Sequence, residues 1–448
     1  MILSTYNKNN EPVLLFLCTP SLGILDSWLP VLTILKDISP NINFILIASI
    51  ENFMDTISLE ANIIKKSEKI FDIIVFKSDS GLLLCAETFT KAKKLNNNYI
   101  IKIFHYGRRI MRKLKLGFIY NIFHITYEVF VKTIFRNSIF NINLLKNSRY
   151  ITLLDVSELI KPYSSDLYSL VIGSQNYSLG HGAGLHGIED YSTNHIKKSC
   201  QKINTKNTTA YLYSEIEIPF YKDYFQLESD QIKTYGVPKH ENQWITNFKS
   251  KKSQYKNKYI LIISRNTSEH FLEKRRISFL KMIKKIAIKF KLSVVIKLHP
   301  IELDSSLYKK IFESESQKVN WEVSTNHPYS LDKNCEFAIC FGSSVPLDLL
   351  HLGIPSIELS NFTGIDDDDH EASLRNNRGE PVRKYRYLNL VLGASSYDEL
   401  EKHVIDILQN RQDVVKKLKY NYTKFYSVTK DINNKIANEI KNNLIKLN

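Results

Sequence analysis

The chain has 448 residues, 43% hydrophobic and 24% charged, which excludes wholesale disorder and gives length for two or three packed domains. Its net charge of +15 implies an anionic partner, with plain solvated lysine surface as the alternative. No zinc-finger spacing, RNP-like aromatic strand or basic heptad accompanies the charge, so nucleic acid is not the expected partner, and the five scattered cysteines form no C-x-x-C pair, which excludes a disulfide scaffold and suits a reducing, cytoplasmic compartment.

The N-terminal stretch MILSTYNKNNEPVLLFLCTP lacks a basic n-region and a small-residue cleavage site, so it reads as a first strand rather than a signal peptide. VLLFLC (13–18), INFILIAS (42–49) and FDIIVF (71–76) are continuous apolar runs that predict buried parallel strands. Between the first two, ILDSWLPVLTILKDI predicts a helix interrupted at Pro30. Residues 108–115 gather Arg108, Arg109, Arg112, Lys113 and Lys115 ahead of an apolar, aromatic run at 116–131. That run holds His124 and Glu128 and is too short and too polar to span a bilayer. It reads either as a buried helix with a basic flank or as a segment lying on an anionic inner-membrane surface. RYITLLD (149–155) and LYSLVIGS (167–174) continue the strand series.

A polar stretch at 236–258 predicts a linker, after which the alternation resumes. YILIIS (259–264), LSVVIKL (292–298), EFAICF (336–341) and PSIEL (355–359) predict strands, and 271–290 predicts a long amphipathic helix. From 397 onward the pattern is helical, ending in an amphipathic tail. Strands alternating with helices predict an α/β fold of two Rossmann-like domains, with boundaries at 1–240 and 255–425 and a terminal helix at 426–448.

Three places concentrate chemistry. Gly342 ends a strand with a tight turn, and Ser343 and Ser344 then precede Pro346, a residue suited to a first helical turn. Hydroxyls and free amides there favour an anion, while ordinary N-capping accounts for the serines equally well. His299 and Pro300 end another strand of the same series, at the sheet edge where open α/β folds bind ligands. An imidazole there stabilises charge on a leaving phosphate or supplies a proton. In the first half, the glycine-rich loop YSLGHGAGLHGIEDY carries His181, Gly182 and His186, then the adjacent acids Glu189 and Asp190. Two neighbouring carboxylates raise each other's pKa and suit a general base, and a solvated turn is the plain alternative. No third ligand joins His181 and His186, so no metal site is expected. The aspartate run at 366–369 reads as a solvated loop, and Arg375, Arg378 and Arg383 beyond it are cations without an assigned target.

Taken in order, Glu189-Asp190, His299-Pro300 and Ser343-Ser344 resemble the motifs of the bacterial sialyltransferase and capsule polysialyltransferase group, over roughly 13–412. The resemblance implies a GT-B fold, a CMP-activated acidic sugar as donor, a surface glycan as acceptor, and inverting transfer without metal or other cofactor. It implies that Glu189 or Asp190 deprotonates the acceptor, that His299 acts on the CMP phosphate, and that Ser343 and Ser344 bind it. Tyr191 departs from the pattern, standing where that group has glycine. Transferases of Kdo from CMP and polymerases using CDP-glycerol share a similar His-Pro and Ser-Ser arrangement. In the CDP-glycerol case His181 and His299 carry the acid–base work. A nucleotide- or polysaccharide-binding subunit of an export assembly is the non-enzymatic alternative.

Overall fold

A computed structural model describes residues 12–18, 23–48, 61–77, 83–96, 149–156, 170–172, 174–188, 206–248, 255–267, 271–299, 302, 304–314, 318–331, 334–363 and 373–446, with isolated positions between 106 and 145. Glu189, Asp190, Tyr191, Pro300, most of 108–131 and the aspartate run lie outside these described residues.

The apolar runs become strands because both of their faces are covered. β1 (Val13–Cys18) is buried at every position and pairs in parallel with β2 (Asn43–Ala48) on one side and β5 (Tyr150–Asp155) on the other. With β3 (Ile73–Lys77), β4 (Leu83–Ala86), β6 (Gln175–Leu179), β7 (Thr208–Leu212) and β8 (Ile232–Thr234) they form a sheet of order β4-β3-β2-β1-β5-β6-β7-β8, parallel except for β4. A second, wholly parallel sheet has the order β11-β10-β9-β12-β13-β14. Its strands are β9 (Tyr259–Ile263), β10 (Ser293–Lys297), β11 (Trp321–Val323), β12 (Cys335–Cys340), β13 (Ser356–Leu359) and β14 (Leu392–Ala394). In both sheets the strand order reverses, between β1 and β5 in one and between β9 and β12 in the other. Those reversals open crevices at the carboxyl ends of the strands.

Three expectations need correction. The helix α1 (Gly23–Ile38) runs unbroken through Pro30, because Trp28, Leu29, Val31 and Leu32 are all buried and their packing outweighs one lost backbone hydrogen bond. The apolar run at 167–174 is not a strand: residues 170–172 are helical, with Leu170 and Val171 buried, and the strand starts at Gln175. Asn176 of that strand donates through Nδ2 to Val171 O at 2.9 Å, and just before it Ser174 shares a hydroxyl hydrogen bond of 2.7 Å with Thr152. The polar stretch at 236–258 joins the two sheets, but its first half is packed rather than solvated. Lys239, His240, Trp244 and Phe248 are all buried.

In the second sheet's layer lie α2 (Glu273–Lys289), α3 (Val345–His351) and the one-turn α4 (Lys384–Tyr387). The long α5 (Tyr397–Phe425) bends at Asn410, and α6 (Ile432–Lys446) then returns to pack on α1 of the first domain. Ile432, Ile436, Ile440 and Leu444 form its buried stripe, each such side chain stabilising by about 1.5–3 kcal/mol relative to exposure. Polar contacts fix the docking, with Lys233 and Glu439 paired at 2.6 Å and Asn433 Nδ2 donating to Pro238 O at 3.1 Å. No helix among the described residues is long and apolar enough to cross a membrane.

Candidate active site

The β9/β12 reversal brings Arg265, just past β9, beside the Gly342-Ser343-Ser344 turn that follows β12. Arg265 Nη1 donates to the carbonyls of Phe341 and Gly342, each at 3.3 Å. Gly342 has φ +89°, and a Cβ there would lie 2.9 Å from Arg383 Nε, so only glycine fits between the two guanidiniums. Ser343 Oγ accepts from Val345 N at 3.3 Å and shapes the turn. Ser344 is the residue before α3, and its hydroxyl makes no capping hydrogen bond.

His299 lies just beyond β10, the neighbour of β9. Burial and the Arg265 charge push its pKa down, so the imidazole is neutral near pH 7. Its carbonyl accepts from Glu302 N at 2.7 Å, and the buried Glu302 carboxylate is paired with Arg276 of α2 and accepts from Ser264. Tyr308 closes the cluster, accepting from Arg276 Nη2 at 2.8 Å. A charge pair inside the second domain thus anchors the histidine.

Across the cleft, Asp155 is the last residue of β5 and is fully buried. Trp28 Nε1 of α1 donates to the preceding carbonyl, Leu154 O, at 3.3 Å. The β5–β6 register pairs Asp155 with Leu179, which puts His181 two residues beyond that pair. His181 Nδ1 meets Asp155 Oδ2 at 2.8 Å, and the imidazole is 48% exposed. The Asp155 charge raises its pKa against the opposing effect of burial. With Nδ1–H donated to the carboxylate, Nε2 keeps the lone pair and is the basic atom.

The two halves touch here. Gly182 has φ +67°, and a Cβ on it would collide with Ser344 Oγ. The structure thus brings the His181–Gly182 loop against Ser344 and links His299 to the Gly342 turn through Arg265, while Glu189, Asp190 and Pro300 lie outside the described residues. His186 points elsewhere: it stacks on Phe220 at 6.2 Å, and burial pushes its pKa down to about 3. Its backbone N–H donates to the buried Glu217 at 2.9 Å.

Asp155 and Arg265 escaped the sequence reading, although each follows an apolar run at a strand's carboxyl end, the signal that singled out His299. Arg383, a cation without a target in the sequence, lies against Gly342. A buried ion network at the base of the cleft also went unseen. Lys239 Nζ reaches Asp26 of α1 at 3.1 Å and Asp348 of α3 at 2.7 Å, while His240 bridges Asp348 at 2.8 Å and Tyr422 at 2.7 Å.

No protein-family model matches the chain, and no curated protein matches it by sequence. Solved structures do share its fold. A Listeria monocytogenes protein assigned as a UDP-N-acetylglucosamine 2-epimerase is 9% identical with TM-score 0.57, covering 97% of each chain. S. aureus MnaA, solved with UDP, is 10% identical with TM-score 0.53, again covering 97% of each chain. The wall teichoic acid polymerase TagF is 11% identical with TM-score 0.53, covering 99% of this chain and 93% of that one. At these identities the likeness is one of fold: two α/β domains with parallel sheets, arranged as in GT-B enzymes.

Proposed function

We propose that this protein is a metal-independent, inverting glycosyltransferase that moves sialic acid or a related acidic sugar from a CMP donor to a surface glycan. The observation that carries the reading is the contact of the His181–Gly182 loop with Ser344, which sets a carboxylate-backed imidazole opposite an anion-binding turn. In this scheme the acceptor oxygen attacks the anomeric carbon as its proton passes to His181 Nε2. The bond from that carbon to the phosphate oxygen breaks, and CMP leaves with the electron pair. Arg265, Arg383, Ser343 and Ser344 stabilise the departing phosphate, with the neutral His299 as a hydrogen-bond donor. Glu189 or Asp190, which the motif resemblance makes the base, then serves the acceptor alongside His181. The basic segment at 108–115 holds an anionic membrane surface or the acidic polymer.

A second reading is a CDP-glycerol-type phosphotransferase, in which the acceptor oxygen attacks phosphorus and CMP again departs. The two guanidiniums flanking Gly342, with His299 beside one of them, favour it, since a diphosphate carries more charge for those cations, and TagF, also solved with CDPG, shares the fold.

Calorimetric titration with CMP, CDP-glycerol and UDP separates the readings when joined to transfer assays of His181→Gln, Glu189→Gln and Asp190→Asn. The expected result is preference for CMP, turnover of CMP-sialic acid, and its loss in His181→Gln. Turnover of CDP-glycerol alone establishes the second reading. Tight CMP binding without turnover on any glycan makes the chain a binding subunit. Unchanged rates in both acid variants remove the acidic pair from the mechanism.

A further inference from the structure

The loop carrying His181 is held by its backbone, and the partners come from both domains. Within the first domain, Tyr213 OH donates to Gly180 O, Ser27 Oγ donates to Gly182 O at 3.4 Å, and Glu217 receives the His186 N–H. From the second domain, Lys384 Nζ donates to Leu185 O at 3.0 Å and Tyr385 OH to Ala183 O at 3.4 Å. Tyr426, which follows α5, donates to the same Ala183 carbonyl at 2.7 Å. Lys384 and Tyr385 open α4, and the residue before them is Arg383, whose guanidinium lies against Gly342 in the Ser343-Ser344 turn.

Three consecutive side chains therefore touch both halves of the site. From this we infer that Arg383, Lys384 and Tyr385 form a coupling element that sets the His181 loop according to whether the Gly342–Ser344 turn holds an anion. Arg383 senses the anion. Lys384 and Tyr385 are positioning residues that hold the carbonyls of Leu185 and Ala183, and the Lys384 charge also works against the raised pKa of His181. The ammonium–carbonyl contact is charge-assisted and reaches across the domain boundary, so it forms only when the domains stand at this spacing. An anion that draws Arg383 toward the turn fixes the start of α4 and, with it, the donors that hold the loop. The inference rests on the proposed reading of the turn as the donor-phosphate site and of His181 as the base.

The test uses the full chain with Lys384→Met, Tyr385→Phe, the double variant and Lys384→Arg as the conservative control. Hydrogen–deuterium exchange is followed over 175–188 with no addition, with CMP and with CDP, next to calorimetric affinities. In the wild type and Lys384→Arg, nucleotide slows exchange of the loop. In the double variant that slowing is lost, by about tenfold in rate for a charge-assisted bond, while nucleotide Kd stays within about twofold. Turnover of the double variant falls through kcat, with donor KM unchanged. A double variant whose loop is slowed by nucleotide as in the wild type, at wild-type kcat, overturns the inference. If neither nucleotide binds the wild type, the donor reading has failed, and the same comparison with inorganic pyrophosphate decides the coupling alone. Absence of protection by all three anions in the wild type overturns it as well.

Discussion

Asp155 determines which nitrogen of His181 is basic and how basic it is. The carboxylate, fully buried at a strand end, accepts from Nδ1 and holds the imidazolium form, so the His181 pKa lies above the ordinary 6.5. As the proposed general base His181 works when deprotonated, so activity should rise with pH through the raised pKa, with its acidic limb above 6.5. Asp155→Asn removes the charge that raises the pKa and replaces an acceptor-only carboxylate with an amide that can also donate to Nδ1, so the tautomer is no longer fixed. The limb then moves to lower pH while the plateau of kcat falls by about 10²-fold or more, which a pH–rate profile of the two proteins reads directly. Linkage gives a second sign. A histidine whose folded pKa is raised contributes stability that is complete below its unfolded value and is lost as pH rises through the folded one. Asp155→Asn should therefore lower Tm more at pH 5 than at pH 8. Asp155 was invisible in the sequence because it reads as the polar end of an apolar run. Its role appears only once the β5–β6 register sets His181 beside it.

At the scale of elements, legibility followed solvent exposure. The runs that became β1, β2, β9, β10 and β12 were readable because a strand covered on both faces is apolar throughout. β6, QNYSL, hid because its inner Asn176 and Ser178 are polar, while the apolar residues before it went into a helical turn. The His-Pro stop after β10 was readable as a strand end, but its anchor was not. Glu302 holds His299 by a backbone hydrogen bond while its carboxylate pairs with Arg276 of α2, and both side chains are under 10% exposed. Glu302→Gln leaves the Arg276 cation buried beside a neutral amide. Removing one partner of a buried pair costs about 3–5 kcal/mol. The urea midpoint should fall accordingly, with the m-value unchanged. Loosened from its anchor, His299 also loses its place beside Arg265, so nucleotide affinity falls in the same variant, whereas Asp155→Asn leaves it intact.

At the scale of the molecule, the cleft has a charged floor. Lys239 joins Asp26 of the first domain to Asp348 of the second across 213 and 109 residues of sequence, and His327 adds a contact to Asp26 at 3.1 Å. Such separations explain why the sequence showed only a polar linker, since a lysine and two aspartates declare themselves an ion network only after the domains meet. Burial alone raises both carboxyl pKa values, but Lys239 overrides it, aided by His327 at Asp26 and His240 at Asp348, and both end below 3.8. Carboxylates with depressed folded pKa values contribute stability that is present above 3.8 and lost as pH falls through the folded values. The Lys239 pKa is raised, so its contribution holds through neutral pH and is lost only in strong alkali. The domains should therefore keep their spacing from about pH 7 down to the carboxylate range and separate below it. Lys239→Met strands two buried carboxylates and should open the cleft already at neutral pH. Small-angle scattering across the acid range measures both: a wild-type radius of gyration flat down to pH 3.8 and rising only below it, against a variant already expanded at neutral pH. Because Asp348 lies on α3, one turn past Ser344, a variant with an open floor should also pull the Gly342–Ser344 turn away from Gly182. Its activity should then fall in step with the scattering change, while a variant that stays compact at pH 7 shows that apolar packing, not this ion network, holds the domains together.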